Sequence, residues 1–222
     1  MRPTLDIKRF YRVSEPITDL VTKFGGQPYW LAEPQWPISR AWGRPMRFIC
    51  QIRLEPLIFG SITGQVAYVF VTHASHGSDF FDPDICSPDD GENAIIVQPD
   101  GIYTGATKPL LRGPTLYWRS GRPAELAVEL EAGNDPDFLP VEKRSALSET
   151  DRRAYAAALQ RSKIGGTPFF FQGDAQPTGT ECLLLQLNPH NLPCYLNLGA
   201  SPLAYAFLST DGSWGKMLIQ DT

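Results

Sequence analysis

The sequence TKFGGQPYW occupies residues 22–30, and its pattern returns as SKIGGTPFF at residues 162–170. Each copy has a lysine, a bulky apolar residue, two glycines, one variable residue, a proline and an aromatic residue. Adjacent glycines permit positive φ angles, and proline favours an extended conformation for the residue before it. The pattern predicts a tight structural turn leading into an extended segment, built from Gly25, Gly26, Pro28, Gly165, Gly166 and Pro168.

A phosphate-binding loop is the alternative interpretation of the two glycine turns. Glycine-rich turns beside a lysine can hold anions through backbone N–H groups. Neither copy, however, has the spacing GxxxxGK[ST] or a GxGxxG that follows a strand. The structural interpretation is therefore favoured over the phosphate site, and the sequence predicts no cofactor.

Two further patterns recur in the same order after each glycine turn. An apolar run with one glutamine appears as RFICQIRL and then CLLLQLNP, and an aromatic run appears as VAYVFV and then LAYAFL. Three markers in one order predict an internal duplication, with halves at about residues 14–132 and 148–220. The expected fold is α+β: mainly antiparallel β-sheet with a few helices, forming a single domain over residues 1–222.

Gln51 and Gln186 each stand in an apolar, strand-like run. A buried amide must find hydrogen-bond partners, so each glutamine is expected to tie down backbone groups near the turn of its own half. The alternative is that both glutamines line a ligand cleft between the halves. Lys23 and Lys163 precede the glycines and could face the same cleft.

The ordered motifs resemble the YwqG-like family, bacterial proteins of unknown function. The resemblance rests on the Lys-x-Gly-Gly-x-Pro turn, the apolar-Gln-apolar strands and GENAIIVQPDG at residues 91–101, and it spans roughly residues 20–220. It implies a mixed α/β fold with internal duplication, and for some members a neighbourhood of toxin and antitoxin systems. It supplies no catalytic residues. The turn KIGGTP departs from the family pattern, because it is closer to the first copy than the resemblance implies.

The composition is that of a globular chain with many turns. Of 222 residues, 20 are proline and 19 are glycine, and 42% are hydrophobic, which is enough for a packed core. No stretch has the length of a membrane span, and the first 13 residues have no apolar core of signal-peptide type, so a cytoplasmic location is expected. The four cysteines match no zinc or redox motif and are expected to be free thiols.

Charge is unevenly distributed along the chain. No lysine or arginine lies between Arg53 and Lys108, and this acidic interval includes Asp82, Asp84, Asp89 and Asp90. With a net charge of −4 and no basic face, nucleic-acid binding is disfavoured. An acidic surface could instead meet a basic partner protein, or could simply keep a loop solvated.

Periodicity predicts most of the secondary structure. Strands are expected at about residues 47–53, 65–73, 93–98, 124–131, 181–188, 194–198, 202–209 and 214–220. A helix is expected at 148–162, with Ser148 as N-cap, and another at 14–24, ending at Gly25. Residues 1–13 are expected to be an edge segment or short helix, and the boundary between the halves is placed near 133–140.

Candidate reactive groups are few. A metal site could be formed by His73, His76, Asp79, Asp82 and Cys86, but the spacing of the two histidines suits a helix and His73 ends a predicted strand, so no metal is predicted. There is no GxSxG elbow, and a Cys194–His190 pair has nothing to recommend it. No catalytic residue is therefore assigned.

The leading hypothesis is a non-enzymatic cytoplasmic bacterial protein that binds another protein. Its most concrete form is an immunity or antitoxin-type protein that neutralises a basic toxin domain through the acidic interval. The alternative is a small-ligand-binding protein or enzyme that uses a cleft between the halves. That alternative predicts a pocket lined by Lys23, Gln51, Lys163 or Gln186.

Overall fold

The structure is a computed structural model that describes residues 1–73 and 81–221, and it is mainly antiparallel β-sheet with few helices. Its strands are β1 Arg2–Arg12, β2 Lys23–Gly25, β3 Trp36–Pro37, β4 Arg47–Arg53, β5 Val66–Val71, β6 Asn93–Gln98, β7 Thr107–Lys108, β8 Glu125–Asp135, β9 Lys163–Gly165, β10 Thr180–Leu187, β11 Leu203–Ser209 and β12 Gly215–Gln220. Its α-helices are α1 Pro56–Phe59, α2 Val141–Ser145 and α3 Glu149–Leu159, and 3₁₀ turns span Pro83–Cys86 and Pro189–Asn191.

Ten of the strands form one sheet that curls into a nearly closed barrel. Their order is β12-β11-β10-β9-β1-β8-β2-β4-β5-β6, and every paired neighbour is antiparallel. The end strands β6 and β12 lie side by side, but among the described residues no backbone hydrogen bond joins them. We call this unbonded junction the seam.

The apolar strands are buried on both faces, which explains their continuous hydrophobic runs. In β5, Ala67, Val69 and Val71 belong to the core inside the barrel, whereas Tyr68 and Phe70 pack in a second cluster outside it. The outer cluster includes the rings of tryptophans in the loop between β2 and β4. Each half of the sheet is covered in this way, because a third cluster packs on the outer face of β10–β12.

The helix predicted at residues 148–162 is confirmed as α3. Helix α3 begins after Ser148, whose hydroxyl oxygen accepts the Asp151 N–H at 3.1 Å as an N-cap. The predicted strands at 47–53 and 93–98 coincide with β4 and β6. These elements have strong local patterns and agree with their local propensities.

Three sequence predictions are wrong because long-range pairing overrides local pattern. Residues 14–24 are not a helix, since Lys23 and Phe24 pair with β4 and β8 as strand β2. The segment 1–13 is a long strand in the middle of the sheet, between β8 and β9. Residues 194–198 form no strand and make one isolated bridge, at Tyr195. The segment 133–140, where the boundary between the halves is expected, contains the end of β8 at Asp135, which pairs with β1.

The turn between β11 and β12 holds one end of the seam and contains an unusually acidic carboxyl. Asp211 Oδ1 accepts hydrogen bonds from the Ser209 hydroxyl at 2.7 Å and from the Ser213 N–H and hydroxyl at 3.0 and 2.8 Å. The Asp211 carbonyl accepts the Thr63 N–H at 3.0 Å, across the seam. The hydrogen bonds to the carboxylate, that from Ser209 first, lower the pKa of Asp211 to about 2.

We therefore expect Asp211 to remain ionised until the pH falls to about 2. Because its pKa is lower in the folded state, its stabilising contribution is complete above its ordinary pKa of 3.8 and is lost as the pH falls towards 2. An NMR titration of the carboxyl carbon measures the midpoint. The Ser209→Ala variant should raise that midpoint, and a wild-type midpoint near 3.8 would contradict the assigned hydrogen bonds.

Candidate functional site

The glycine turns are places where the backbone wraps around a carboxylate. Gly25, Gly26, Gly165 and Gly166 have φ angles of 66°, 67°, 73° and 78°. A Cβ on Gly26 would lie 2.2 Å from the Glu125 carboxyl carbon, and one on Gly166 would lie 2.2 Å from Asp135 Oδ2. Glycine is required at these two positions by both the left-handed conformation and the lack of space.

Each carboxylate pairs with the lysine that precedes its own turn. Lys23 Nζ lies 2.6 Å from Glu125 Oε1 and donates to the Ile17 carbonyl at 2.8 Å. Lys163 Nζ lies 2.6 Å from Asp135 Oδ2 and donates to the Thr167 carbonyl at 2.6 Å. Burial lowers the pKa of Lys163 to about 8, although the ion pair with Asp135 opposes this shift.

The structure does not bring the two lysines to a shared cleft. Lys23 lies on β2 and Lys163 on β9, with β1 and β8 between them in the sheet. Both side chains are buried and directed to their own carboxylates, because a buried ammonium group needs a compensating charge. The two lysines therefore do not line a common ligand pocket.

Gln51 and Gln186 are fully buried, and their amides bind backbone groups that flank the glycine turns. Gln186 Oε1 accepts the Phe169 N–H at 2.9 Å, and Nε2 donates to the carbonyls of Leu159 and Arg161, both at 2.8 Å. Gln51 makes the corresponding bonds, from the Tyr29 N–H and to the carbonyls of Asp19 and Val21. The amides hold the chain on either side of each turn.

Four more residues in the same polar network were missed from the sequence. Gln98 Oε1 accepts the N–H groups of Leu31 and Ala32, both at 3.0 Å, and Gln220 Oε1 accepts those of Phe171 and Gln172 at 2.7 and 3.2 Å. The hydroxyls of the tyrosines on β5 and β11 donate to the carbonyls of Tyr29 and Phe169; these tyrosines are Tyr68 and Tyr205. The signal available was a glutamine at the end of each apolar run, NAIIVQ and KMLIQ.

Replacing Gln186 or Gln51 with leucine is expected to lower the free energy of unfolding by about 1–3 kcal/mol, because each change leaves buried backbone groups without partners. Urea denaturation followed by tryptophan fluorescence measures the loss. The control is Gln65→Leu, an exposed glutamine whose side chain makes no hydrogen bond among the described residues, with an expected change within about 0.5 kcal/mol. Equal effects in all three variants would contradict the role of the amides.

The four candidate acidic residues fall into two groups. Asp82 is buried and accepts the Trp42 indole N–H at 2.8 Å while capping the Pro83–Cys86 turn. Asp89 Oδ1 lies 2.6 Å from Lys216 Nζ. Asp84 and Asp90 are exposed, and neither carboxylate has an ion-pair partner among residues 1–73 and 81–221. The exposed acidic surface is thus smaller than the sequence predicted.

Only some of the possible metal ligands belong to the residues that the structure describes. His76 and Asp79 lie outside the described residues. His73 Nε2 accepts a hydrogen bond from the backbone N–H of Asn197 at 3.1 Å. Within the described part of the chain, no three His, Cys, Asp or Glu side chains are grouped to hold a metal ion.

Burial raises the pKa of Cys194 to about 12, so this residue is a thiol and not a thiolate at neutral pH.

A large cleft lies on the outer side of the seam, away from every residue singled out for a pocket. Its volume is about 810 Å³, and we call it the seam cleft. Its floor is formed by Asn93–Ile95 of β6 and by Gly215 and Lys216 of β12. Its walls come from the loops 38–43, 88–91 and 102–106.

The wall that contains Arg40 is held by a buried carboxylate. Glu92 is fully buried and accepts the Ser39 hydroxyl at 2.6 Å and the Ala41 N–H at 2.8 Å. The Arg40 guanidinium lies against Gly91, where a Cβ would come within 2.7 Å of Arg40 Nε. Glycine at this position therefore makes room for the guanidinium beside the cleft.

No family model matches this sequence, and a search of curated proteins finds no matching protein. Within the described ranges, no helix is long and apolar enough to cross a membrane.

Proposed function

We propose that this protein acts by binding a partner protein, with the seam cleft as its binding site. The observation that carries the proposal is a cleft of about 810 Å³ that lies along the junction of β6 and β12 and is walled by three loops. The residues first suspected of ligand binding hold the fold together instead, which leaves the seam cleft as the best-formed recognition surface.

An immunity or antitoxin-type role in the bacterial cytoplasm is the biological form of the proposal. Asp84 and Asp90 are exposed and lack ion-pair partners among the described residues, and Asp90 stands between Asp89 and Gly91 of the cleft wall. Such carboxylates favour a partner with a basic surface, such as a basic toxin domain, through faster association and correct orientation. Asp82 is excluded from this contact because its carboxylate is buried under Trp42.

We also propose that the fold is of the α+β class and consists of two duplicated halves, at about residues 14–132 and 148–220. The matching hydrogen bonds of Gln51 and Gln186 support it, as do those of Gln98 and Gln220. In each half, the amides join the sheet to the segment that follows the glycine turn. On this view the seam is the place where β6 of the first half meets β12 of the second half.

The test is capture of partners from a native-host lysate, followed by reconstitution with the purified partner. Wild-type protein is compared with the double variant Asp84→Asn/Asp90→Asn. The matched control is Glu142→Gln/Glu181→Gln, which removes two exposed carboxylates elsewhere. We expect the first double variant to weaken the purified complex and the control to leave it unchanged. A complex insensitive to both changes would exclude the acidic-surface role.

A small-ligand-binding protein or enzyme is the second candidate. It is favoured by the volume of the seam cleft, which falls in the range of about 300–1,000 Å³ that is typical of ligand pockets. Burial raises the pKa of Tyr103 in the cleft wall, so its hydroxyl stays protonated at neutral pH. A thermal-shift screen of common metabolites tests this candidate, because a ligand that occupies the cleft stabilises the folded state.

A further inference from the structure

We propose that the seam cleft binds a small organic molecule with an apolar body and one carboxylate group, which the Arg40 guanidinium and the Tyr103 hydroxyl hold. This inference rests on the second candidate function and adds the chemical class of the ligand. It can be tested separately from partner binding, because the partner contact depends on Asp84 and Asp90, neither of which is among the described residues that line the cleft.

The walls of the seam cleft are joined by backbone hydrogen bonds, so the cleft is formed before a ligand arrives. The Ile38 N–H donates to the Ala106 carbonyl at 2.9 Å, which joins two of the three wall loops. The Ile102 N–H donates to the Ser213 carbonyl at 2.7 Å, which joins one of these loops to the turn before β12. Because the walls are already fixed, a ligand loses less binding free energy to the ordering of the protein.

Arg40 supplies the cleft wall with a guanidinium that has no carboxylate within ion-pair distance among the described residues. Its backbone N–H donates to the Gly91 carbonyl at 3.2 Å, and its Nη1 donates to the Asp89 carbonyl at 3.0 Å. A guanidinium has five N–H donors in a planar fork that matches a carboxylate. Most of these donors remain for a ligand, and the contact with Gly91 limits the directions in which the fork can point.

The Tyr103 hydroxyl is a second donor in the cleft wall. Within residues 1–73 and 81–221 it makes no hydrogen bond, and its oxygen is open to solvent. A Cβ on Gly105 would lie 2.4 Å from this oxygen, so the glycine leaves room for the hydroxyl. Burial raises the pKa of Tyr103, and the positive charge of Arg40 opposes that rise, which shows that the two groups are close. A carboxylate has two oxygens and can accept from the guanidinium and the hydroxyl at once.

The charge of the cleft favours a carboxylate over a phosphate group. The charged lining residues are Arg40, Asp89 and Lys216, and Lys216 Nζ lies 2.6 Å from Asp89 Oδ1. One positive charge is therefore left uncompensated in the lining, and one carboxylate balances it. A phosphate group carries about −1.5 to −2 charges at neutral pH, so it would bring excess negative charge beside Asp89 and Asp90. The buried Glu92 carboxylate behind the wall adds to the negative charge that a phosphate would meet.

The remaining lining of the cleft is mainly apolar, and it selects the body of the ligand. Its apolar side chains include Ile95, Ile102 and Trp214. Ile102 is 59% exposed, so a ligand that covers it removes apolar surface from water. A cleft of about 810 Å³ has room for far more than a carboxylate group. The apolar body therefore supplies most of the affinity, whereas the polar groups at the wall fix the orientation of the ligand.

The experiment uses the purified protein and a library of fragment-sized carboxylic acids with aromatic or aliphatic bodies. Each acid is tested beside its uncharged primary amide and beside the phosphate monoester of the corresponding alcohol. NMR titration of the backbone N–H groups gives both the affinity and the place of binding. The protein variants are Arg40→Gln, Tyr103→Phe and, as the matched control, Arg44→Gln, which removes an exposed arginine outside the described cleft lining. Melting temperatures of the variants, measured without ligand, check that they fold.

We expect some acids to bind saturably, with NMR shifts centred on Gly91 and Gly105. Their primary amides should bind about tenfold more weakly, since hydrogen bonds between charged groups are the strong ones. Arg40→Gln should weaken the acids by about tenfold and change the affinity of the primary amides by less than about twofold. Tyr103→Phe should weaken the acids by about fivefold, and Arg44→Gln should change their affinity by less than about twofold.

Three results would overturn the inference. One is a library in which no acid shifts the cleft residues saturably. Another is equal affinity for the acids and their primary amides, which would show that only the apolar body is recognised. The last is tighter binding of the phosphate monoesters than of the acids. A partner complex that needs Asp84 and Asp90, found while no acid binds, would refute this inference and leave the proposed function intact. Acids that depend on Arg40, found while no partner is captured, would support this inference and count against partner binding.

Discussion

Replacing Asp135 with asparagine is expected to lower the free energy of unfolding by about 3–5 kcal/mol, the cost of breaking a buried ion pair. Asp135 is fully buried and accepts hydrogen bonds from Lys163 Nζ and Arg161 Nη2, both at 2.6 Å, and from the Thr167 N–H at 2.8 Å. Asparagine removes the negative charge and leaves the buried Lys163 without a counter-charge, while Arg161 keeps its ion pair with Asp6. It also turns an amide donor towards one of the existing donors.

Urea denaturation at neutral pH measures this loss. The matched control is Asp137→Asn, two residues along the chain, where the carboxylate is exposed and its one ion-pair partner within residues 1–73 and 81–221 is the N-terminal amine. Its loss should be far smaller, because solvent screens exposed pairs. The double variant Asp135→Leu/Lys163→Met should cost less than Asp135→Leu alone, because it removes the buried ammonium group together with its carboxylate. Equal losses for Asp135→Asn and Asp137→Asn would refute the assigned role of Asp135.

Gly166→Ala should be destabilising by a similar amount, about 3–5 kcal/mol, because its methyl group competes with the same buried carboxylate. The φ angle of 78° alone would cost about 1 kcal/mol for a residue with a Cβ. The methyl group would also stand 2.2 Å from Asp135 Oδ2 and 3.1 Å from Thr4 Cβ. Asp135 must then move away from its hydrogen-bond donors, which adds the larger part of the loss.

The variant Gly43→Ala separates the cost of the positive φ angle from the cost of displacing Asp135. Gly43 also has a positive φ angle, 62°, but a Cβ there would meet no atom within 4 Å. Its expected loss is the conformational part alone, about 1 kcal/mol. Denaturation curves of the two variants, measured under one set of conditions, give the difference. If Gly43→Ala cost as much as Gly166→Ala, displacement of Asp135 would not be the cause.

The variants at Asp135 and Gly166 test why the Lys-x-Gly-Gly-x-Pro motif occurs twice in the sequence. The lysine, the glycine pair and a distant carboxylate form one unit at each turn, and a glutamine on the next strand holds the chain on both sides of it. A unit with this much internal hydrogen bonding is a poor place for a ligand. The proposed binding site, the seam cleft, lies elsewhere, at the junction of β6 and β12.

Local pattern alone was sufficient for the apolar strands β4, β5 and β6 and for helix α3. Continuous runs of β-branched and aromatic residues identify buried strands, and Ser148 with the following alanines identifies a helix start. The burial of Gln51 and Gln186 was also predictable, since each is surrounded by apolar residues in sequence. For these features, the information lies within a few residues of the feature itself.

Only the tertiary structure decided the place of β1, the carboxylate partners of Lys23 and Lys163, and the position of the cleft. The segment 1–13 contains four lysine or arginine residues and was expected at an edge, but it becomes a central strand by pairing with β8 and β9. Glu125 lies about a hundred positions from Lys23, and Gly91 about fifty from Arg40, so no local pattern joins them. The closure of a sheet brings such residues together, because strand pairing and burial depend on contacts between distant parts of the chain.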